Sequence, residues 1–274
     1  MIQRSLAFFY PRWGSEDLHW EDFFIKLKLA GFDGVEWAID RYTSSKELET
    51  VFKLAEQYKL DIIAQHYDTY ESDFFRHLEL YSQWLEKIRA YPFLKLNSQT
   101  GKDFFSLEEN KILIELANDY GIHRDLPVVH ETHRNKFSFC AHITKAYLTA
   151  IPELELCLDA SHWVCVSESY LYDQPDAMAL ALSRTRHIHA RIGYPQGPQV
   201  SDPALIEWEE ATTVHLDWWR KAIQVQQKMN TDASITITTE FGPYPYMVQA
   251  KGKPIADQWT INNWMMTLIK LRCQ

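Results

Sequence analysis

The sequence lacks the features of a membrane protein or a disulfide-bonded protein. No window approaches about 18 uninterrupted apolar residues, so we predict no membrane span. Residues 1–14 contain two arginines and a five-residue apolar stretch, which is too short for the core of a signal peptide. The four cysteines form no CxxC motif and no paired framework. These absences predict a reduced, cytoplasmic protein.

Positive charge and glycine are also scarce. The chain has 28 Lys and Arg residues against 37 Asp and Glu residues, a formal net charge of −9. This balance argues against a broad nucleic-acid-binding surface. The first predicted strand is followed by Tyr10-Pro11-Arg12-Trp13 and not by GxGxxG, which disfavours an open dinucleotide-binding sheet. Lysine is sparse near the predicted strand ends, so the sequence does not indicate whether a phosphate is recognised.

Strand-like and helix-like segments alternate along the whole chain. The predicted strands cover residues 5–9, 35–38, 61–65, 93–96, 128–131, 154–159, 187–192 and 234–240. The predicted helices cover residues 20–30, 44–58, 72–91, 106–120, 138–150, 176–183, 203–228 and 256–271. Such alternation favours a parallel sheet with crossover helices. Because closed α/β barrels typically need about 250 residues, we predict a single (β/α)8 TIM barrel domain over residues 1–274.

Residues that can bind a divalent metal stand at the ends of the last four predicted strands. They occur in VVHETHR (128–134), LDASHW (158–163), HIHAR (187–191) and ITTEFGP (237–243), as Glu131, Asp159, His189 and Glu240. The carboxyl ends of barrel strands open onto one face, so we expect these side chains to converge there. Three carboxylates and an imidazole would suit Mn, Mg, Co or Zn.

Other polar residues near the strand ends have weaker signals. His187 lies deeper in its strand and fits a hydrogen-bonded core histidine, and His130 points away from the barrel interior. Arg134 and Arg191 either contact substrate or form rim salt bridges. Trp163 has the ring to stack on the apolar face of a sugar, although an aromatic core residue is the default.

The joint pattern resembles the xylose isomerase-like TIM barrel superfamily, which includes sugar isomerases, sugar epimerases, inosose dehydratases and AP endonucleases of family 2 such as endonuclease IV. The resemblance covers the full chain and rests on GFDGVEW (31–37), HETHR, DASH (159–162), HIHAR and TTEFGP. It implies one divalent metal ion held by Glu131, Asp159, His189 and Glu240. It also implies substrate contacts from His162 and from Glu36, which stands at the second strand. His66, at the end of the third strand, is a further candidate contact.

The chemistry implied by this resemblance is proton transfer at a carbon next to a carbonyl. The metal would polarise the substrate oxygens, and Glu131 and Glu240 would serve as both ligands and bases. We therefore expect a metal-dependent isomerase or epimerase of a small sugar, keto-sugar or polyol. A lyase of the inosose dehydratase type and a non-catalytic sugar-binding barrel are the alternatives.

The sequence departs from the endonuclease IV pattern in two places. The fourth strand leads into Asn97 where that enzyme needs a further histidine, and no Asp-x-His follows HIHAR. With the negative net charge, these departures predict a carbohydrate as partner, with no nucleic acid and no membrane. The sequence leaves open whether the chain forms a homo-oligomer.

Overall fold

The strands of the barrel follow the predicted alternation. A computed structural model describes residues 6–229 and 234–273. Within them the barrel strands are β1 (Leu6–Pro11), β2 (Gly34–Ala38), β3 (Asp61–His66), β4 (Lys95–Ser98), β5 (Val128–Glu131), β6 (Leu156–Leu158), β7 (Thr185–Ala190) and β8 (Ile235–Thr239). Ser5, the first residue of the predicted first strand, lies outside the described residues.

The sheet closes on itself in sequence order. Each strand pairs in parallel with the next, and β8 pairs with β1 through contacts such as Leu6 with Ile235 and Phe9 with Thr238. Every strand is therefore adjacent to two others, so the barrel has no free edge. The predicted (β/α)8 barrel is confirmed.

The helices surround the strands and bury one face each. The described residues form α1 (Trp20–Ala30), α2 (Ser45–Tyr58), α3 (Phe74–Ile88), α4 (Leu107–Ile122), α5 (Ala141–Ala150), α6 (Ala160–Ser167), α7 (Pro175–Arg184), α8 (Glu209–Lys228) and α9 (Gln258–Arg272). A two-stranded ribbon, β9 (Gln249–Ala250) and β10 (Lys253–Pro254), precedes α9. None of the helices in residues 6–229 and 234–273 is long and apolar enough to cross a membrane.

Local signals explain where several helices begin and end. Ser106 and Glu109 form the predicted capping box at the start of α4, each side chain accepting a backbone N–H of the other. Gly31 ends α1 with a φ of 82°, a left-handed conformation that glycine adopts without steric cost. All four cysteines are free thiols.

Two local predictions were wrong. The segment between β6 and β7 holds two helices, α6 and α7, where one was predicted. Asp159 caps α6 by accepting a hydrogen bond from the backbone N–H of Ser161, so DASHW begins a helix directly after its strand. Residues 97 and 98 belong to β4 and not to its exit loop, because they pair with Gln65 and His66 of β3.

Candidate metal centre and cavity

A cavity of about 700 Å³ opens at the carboxyl ends of the barrel strands. We call this end of the barrel its mouth. Glu131, Glu240 and Arg191 contribute to the cavity wall, together with many aromatic side chains. The aromatic lining residues are Trp13, Trp20, Trp37, Tyr42, Tyr67, Tyr70 and Tyr246. Aromatic walls with a few convergent polar groups are typical of sites for small polar ligands.

The structure brings the four predicted ligands together. Glu131, Asp159, His189 and Glu240 each offer one ligand atom, and these atoms all lie within 4.8 Å of one another. All four residues are at most 4% exposed. Because β5 to β8 are adjacent and parallel, strand ends that are far apart in sequence meet at one place.

Two of the candidate ligand atoms lie close together without forming a hydrogen bond. Nδ1 of His189 lies 2.7 Å from Oε2 of Glu240 and 3.7 Å from Oε1 of Glu131. Despite this closeness, neither His189 Nδ1 nor Glu240 Oε2 has a hydrogen-bond partner in the described part of the chain. Oε2 of Glu240 also lies 2.9 Å from Nη2 of Arg191, so it has ionic neighbours but makes no hydrogen bond there. Buried polar atoms are normally hydrogen-bonded, so this arrangement suits ligands of a cation.

The charges at the site also fit a cation. Burial by itself would lower the pKa of His189, but Cys157 and the carboxylates of Glu240, Glu36 and Glu131 raise it well above its usual range. These carboxylates therefore attract positive charge at the position of His189. A divalent ion would supply that charge in place of the imidazole proton, because a histidine that binds a metal is deprotonated at the ligating nitrogen.

Arg191 links two of the carboxylates. Its Nε donates to Oδ2 of Asp159 at 3.0 Å, and its Nη2 lies 2.9 Å from Oε2 of Glu240. Gln199 holds the guanidinium by accepting from Nη1 at 3.1 Å, and the same amide oxygen accepts from the N–H of Gly242. A Cβ on Gly242 would lie 2.4 Å from the ring of Trp13, so only glycine permits this close approach. Arg191 is thus positioned from both neighbouring strand ends.

Three amide side chains surround Glu131. Gln65 and Gln99 donate to its carboxylate at 3.2 Å, and Asn97 donates at 3.3 Å. Burial alone would raise the pKa of Glu131, but the charge and hydrogen bond of His189 lower it. Glu131 is therefore held ionised beside the cavity.

Glu36 lies one layer below the mouth. Its carboxylate contacts Nε2 of His189 at 2.9 Å and Nε2 of His187 at 3.1 Å, and it accepts hydrogen bonds from Asn97 and Thr238. Glu36 is 2% exposed and does not line the cavity, so the structure gives no support to its expected contact with substrate. It orients the imidazole of His189 from behind, and His187 is a core residue as predicted.

His66 and Trp163 also point away from the cavity. The ring of His66 packs 4.5 Å from Tyr81 and 4.7 Å from Trp84, and its Nε2 is 2.7 Å from Thr69 Oγ1. Side chains alternate along a strand, and on β3 it is Gln65, one position earlier, that faces the cavity. Trp163 is fully buried on α6 and donates to the carbonyl of Ser138.

His162 and Arg134 lie near the site but not on the cavity wall. The ring of His162 lies tilted against that of His133, with centroids 4.0 Å apart, and Nε2 of His162 lies 3.4 Å from Oδ2 of Asp159. Neither ring nitrogen of His162 has a hydrogen-bond partner among residues 6–229 and 234–273. Arg134 is half-buried, and its guanidinium lies 5.2 Å from the ring of Tyr246.

Several cavity residues were not predicted from the sequence. Gln65 and Gln99 follow from the alternation of β3 and from the exit of β4, which a correct strand register would have indicated. Lys136 and Tyr246 lie in loops, where no periodic signal exists, and Lys136 corrects the impression that lysine is sparse at the mouth. His133 shares a strand face with Glu131 and lines the cavity, although it was not counted as a site residue.

Comparisons with known proteins agree with this architecture. No family model and no curated protein matches the chain. A xylose isomerase domain containing protein from Salmonella typhimurium is 16% identical over 100% of both chains, with a TM-score of 0.63. The probable 3-DHS dehydratase AsbF from Bacillus anthracis is 16% identical over 97% of this chain and 99% of its own, with a TM-score of 0.58. Endonuclease IV from Thermus thermophilus is 14% identical over 97% and 98%, with a TM-score of 0.57. At such identities the likeness is one of fold, and the chain has the barrel fold of these three structures.

Proposed function

We propose that the chain is a divalent-metal-dependent isomerase or epimerase of a small sugar, keto-sugar or polyol. The observation that carries the proposal is the convergence of Glu131, Asp159, His189 and Glu240, whose ligand atoms lie within 4.8 Å of one another. Three carboxylates and one imidazole in a buried site suit Mn, Mg, Co or Zn. Nδ1 of His189 and Oε2 of Glu240, which form no hydrogen bond within residues 6–229 and 234–273, support the same assignment.

The side chains at the cavity floor have distinct roles in this proposal. One divalent ion supplies polarisation of the substrate's carbonyl and hydroxyl oxygens. Glu131, held ionised by His189 and by three amide donors, accepts the proton from the carbon next to the carbonyl. In an isomerase Glu131 would return this proton to the neighbouring carbon, whereas in an epimerase Glu240 would have to enter the step protonated and give its own proton to the same carbon from the opposite face.

The remaining cavity residues bind and orient the substrate. Arg191 stays charged, because the carboxylates of Glu240 and Asp159 outweigh the effect of burial and raise its pKa. It can therefore donate to a substrate oxygen while it holds both carboxylates in place. The rings of Trp13, Trp37 and Tyr246 line the cavity and suit the apolar face of a sugar.

A lyase that expels water is the second candidate. It uses the same first step, removal of a proton next to a carbonyl, and differs in the fate of a neighbouring hydroxyl group. The similarity in fold to the probable 3-DHS dehydratase supports keeping this candidate. Loss of water from keto-sugars and keto-inositols, followed by NMR, separates it from isomerisation.

Metal content and proton exchange test the proposal together. The purified protein is supplied with Mn²⁺ or Zn²⁺, and bound metal is measured after removal of free ions. A panel of ketoses is then incubated in heavy water, and deuterium at the carbon next to the carbonyl is followed by NMR. We expect about one ion per chain, and exchange that depends on it.

Glu240→Gln is the decisive variant. It keeps the shape of the side chain but removes a ligand charge, so both bound metal and exchange should fall. Glu115→Gln, a substitution of an exposed carboxylate on α4, is the matched control. If the wild-type protein bound no ion and Glu240→Gln changed neither measurement, the proposal would be wrong.

A further inference from the structure

Lys136 is a buried lysine that faces the cavity, and the described part of the chain offers it no counterion. It lies in the loop between β5 and α5 and is 2% exposed. Its side chain lines the cavity together with Glu131, Gln99 and Tyr70. No residue in the described ranges accepts a hydrogen bond from its Nζ, and no carboxylate there lies within ion-pair distance.

The backbone around Lys136 is held in place. Its N–H donates to the carbonyl of His133 at 3.2 Å, and its own carbonyl accepts from Phe139 at 3.1 Å. The next residue, Phe137, donates to the carbonyl of Thr100 at 3.3 Å and is fully enclosed. The lysine is therefore presented by a fixed loop, so its position does not depend on a ligand ordering the chain.

A second buried lysine adds positive charge from the neighbouring loop. Lys102 follows β4 and is 5% exposed, and its backbone is fixed at both ends by the amide of Asn110. Nζ of Lys102 lies 5.7 Å from the ring centroid of Tyr70, and Nζ of Lys136 lies 5.9 Å from the same ring. Both ammonium groups thus flank one cavity-lining side chain.

The nearby acids do not neutralise Lys136. Asp68 accepts from Nε of Arg41 at 3.1 Å and from its backbone N–H at 2.9 Å, so that carboxylate already has a cation. Glu131 is engaged by His189 and by its amide donors. Leaving a buried ammonium group unpaired costs several kcal/mol in principle, so such a group is expected to gain a partner when a ligand binds.

We propose that Lys136, supported by the charge of Lys102, is a subsite for an anionic oxyacid group, a carboxylate or a phosphate, carried by the substrate. The inference deepens the proposed function, on which it rests for the site of reaction. It restricts the substrate to sugar acids, keto acids or sugar phosphates. The metal centre would take the carbonyl end of that molecule, and Lys136 would take its anionic group from another part of the cavity wall.

Matched pairs of neutral and anionic sugars test the subsite. The probes are D-galactose with D-galacturonate, and D-fructose with D-fructose 6-phosphate. Dissociation constants are measured by calorimetry on protein loaded with Mg²⁺, and deuterium exchange is recorded in parallel. We expect the anionic member of at least one pair to bind about tenfold or more tightly, because a buried charge-assisted contact contributes that much. The pair that shows the preference tells a carboxylate from a phosphate.

Lys136→Met should reduce this preference to near one, and Lys136→Arg should retain part of it. Lys111→Met, which removes an exposed lysine from α4, should leave the preference unchanged. Equal binding of both members to the wild-type protein would overturn the subsite, as would an unchanged preference in Lys136→Met. An imine between Lys136 and a ketose, trapped as a stable amine by borohydride reduction, would also overturn it, because the lysine would then act as a nucleophile.

The binding test and the deuterium-exchange test can fail independently of each other. An anionic preference without deuterium exchange would keep the subsite and refute the proposed proton transfer. Exchange into neutral ketoses, without a preference for anionic sugars, would keep the proposed proton transfer and refute the subsite.

Discussion

Two buried lysines occupy the two ends of the barrel, and their surroundings differ. Lys95 begins β4 at the closed end, where its Nζ donates to the carbonyl of Arg186 and to Oγ1 of Thr236, both at 2.7 Å. Lys136 lies at the mouth with no partner in the described ranges. Burial lowers the pKa of Lys95 to about 8 and that of Lys136 to about 7. Both lysines are buried, but they differ in use. Lys95 forms hydrogen bonds that stabilise the fold, whereas the ammonium group of Lys136 is available to bind a ligand.

Two carboxylates, Glu36 and Glu240, differ in the same way as the two lysines, although they lie closer together. Glu36 accepts hydrogen bonds or ion pairs from Asn97, Thr238 and two histidines, so its oxygens are satisfied. Glu240, one layer nearer the mouth, has an oxygen, Oε2, that lies within ion-pair distance of His189 and Arg191 but forms no hydrogen bond with the described residues. Satisfied polar groups stabilise the fold, whereas unsatisfied ones in a cavity wall indicate where a ligand binds.

The largest expected effect is on proton exchange. Glu131→Gln removes the proposed base and one ligand charge, so exchange should fall by about 10³-fold, within the range for loss of a positioned base and a metal ligand. Deuterium incorporation at saturating metal measures it. Exchange at the wild-type rate would show that Glu131 has no catalytic role.

Glu36→Gln should reduce stability, because Glu36 holds the buried polar cluster below the mouth. The substitution leaves His187 and His189 without their shared carboxylate, so the free energy of unfolding should fall by about 3 kcal/mol. Urea denaturation measures this loss. A variant as stable as the wild-type protein would contradict the assignment of Glu36 to the structural layer.

The two lysines should respond in opposite directions. Lys95→Met leaves the Arg186 carbonyl without one donor and should destabilise the protein by about 1–3 kcal/mol. Lys136→Met removes an unpaired buried charge and should leave stability unchanged or raise it by about 1 kcal/mol. Thermal and urea unfolding of both variants compare them directly. Destabilisation of similar size in both would remove the distinction between the two ends.

The most gradual effect is a trend of stability with pH. Burial lowers the pKa of Lys136 to about 7 in the folded protein, below the value of about 10.4 for a free lysine. Below about pH 7 both states carry the proton, and the burial penalty is present in full. Above it only the unfolded state stays protonated, so stability rises with pH up to about 10.4, by at most about 1.4 kcal/mol per unit.

The difference between wild-type protein and Lys136→Met isolates this trend. Other titratable and charged groups interact with Lys136 or face it. The part of their titration that does not depend on Lys136 cancels in the difference, and their coupling to Lys136 remains in it. They are Lys102, Asp68, Asp103, Glu131, His66, His77 and His133. The variant's advantage over the wild-type protein, measured by urea unfolding, should shrink from about pH 6.5 to about pH 9.5. A constant difference would mean that the lysine is not desolvated.

Much of the fold could be predicted because its signals are local. Alternating strand and helix patterns, the Ser106 capping box and Gly31 all depend on residues within one turn or one strand. The predicted ligands Glu131, Asp159, His189 and Glu240 also came together, because every strand end of a parallel barrel opens onto the same face.

The errors arose where one residue of register decides the outcome. His66 and Gln65 are neighbours, and the sequence favoured the imidazole at the mouth, yet the pairing of β3 with β4 turns Gln65 inward. Glu36 faces the barrel interior as expected, but the depth of its strand position places it below the cavity. Strand alternation is exact, so a shift of one position exchanges core and site.

The sequence by itself determined the barrel and the set of acidic and imidazole side chains at its mouth, because both follow from periodicity and from the ends of strands. Only the tertiary structure decided which buried polar groups are satisfied. Lys95 finds partners 91 and 141 residues away, whereas the described chain offers none to Lys136. Pairing of this kind depends on atoms that are distant in sequence, and it distinguishes a residue that holds the fold from one that awaits a ligand.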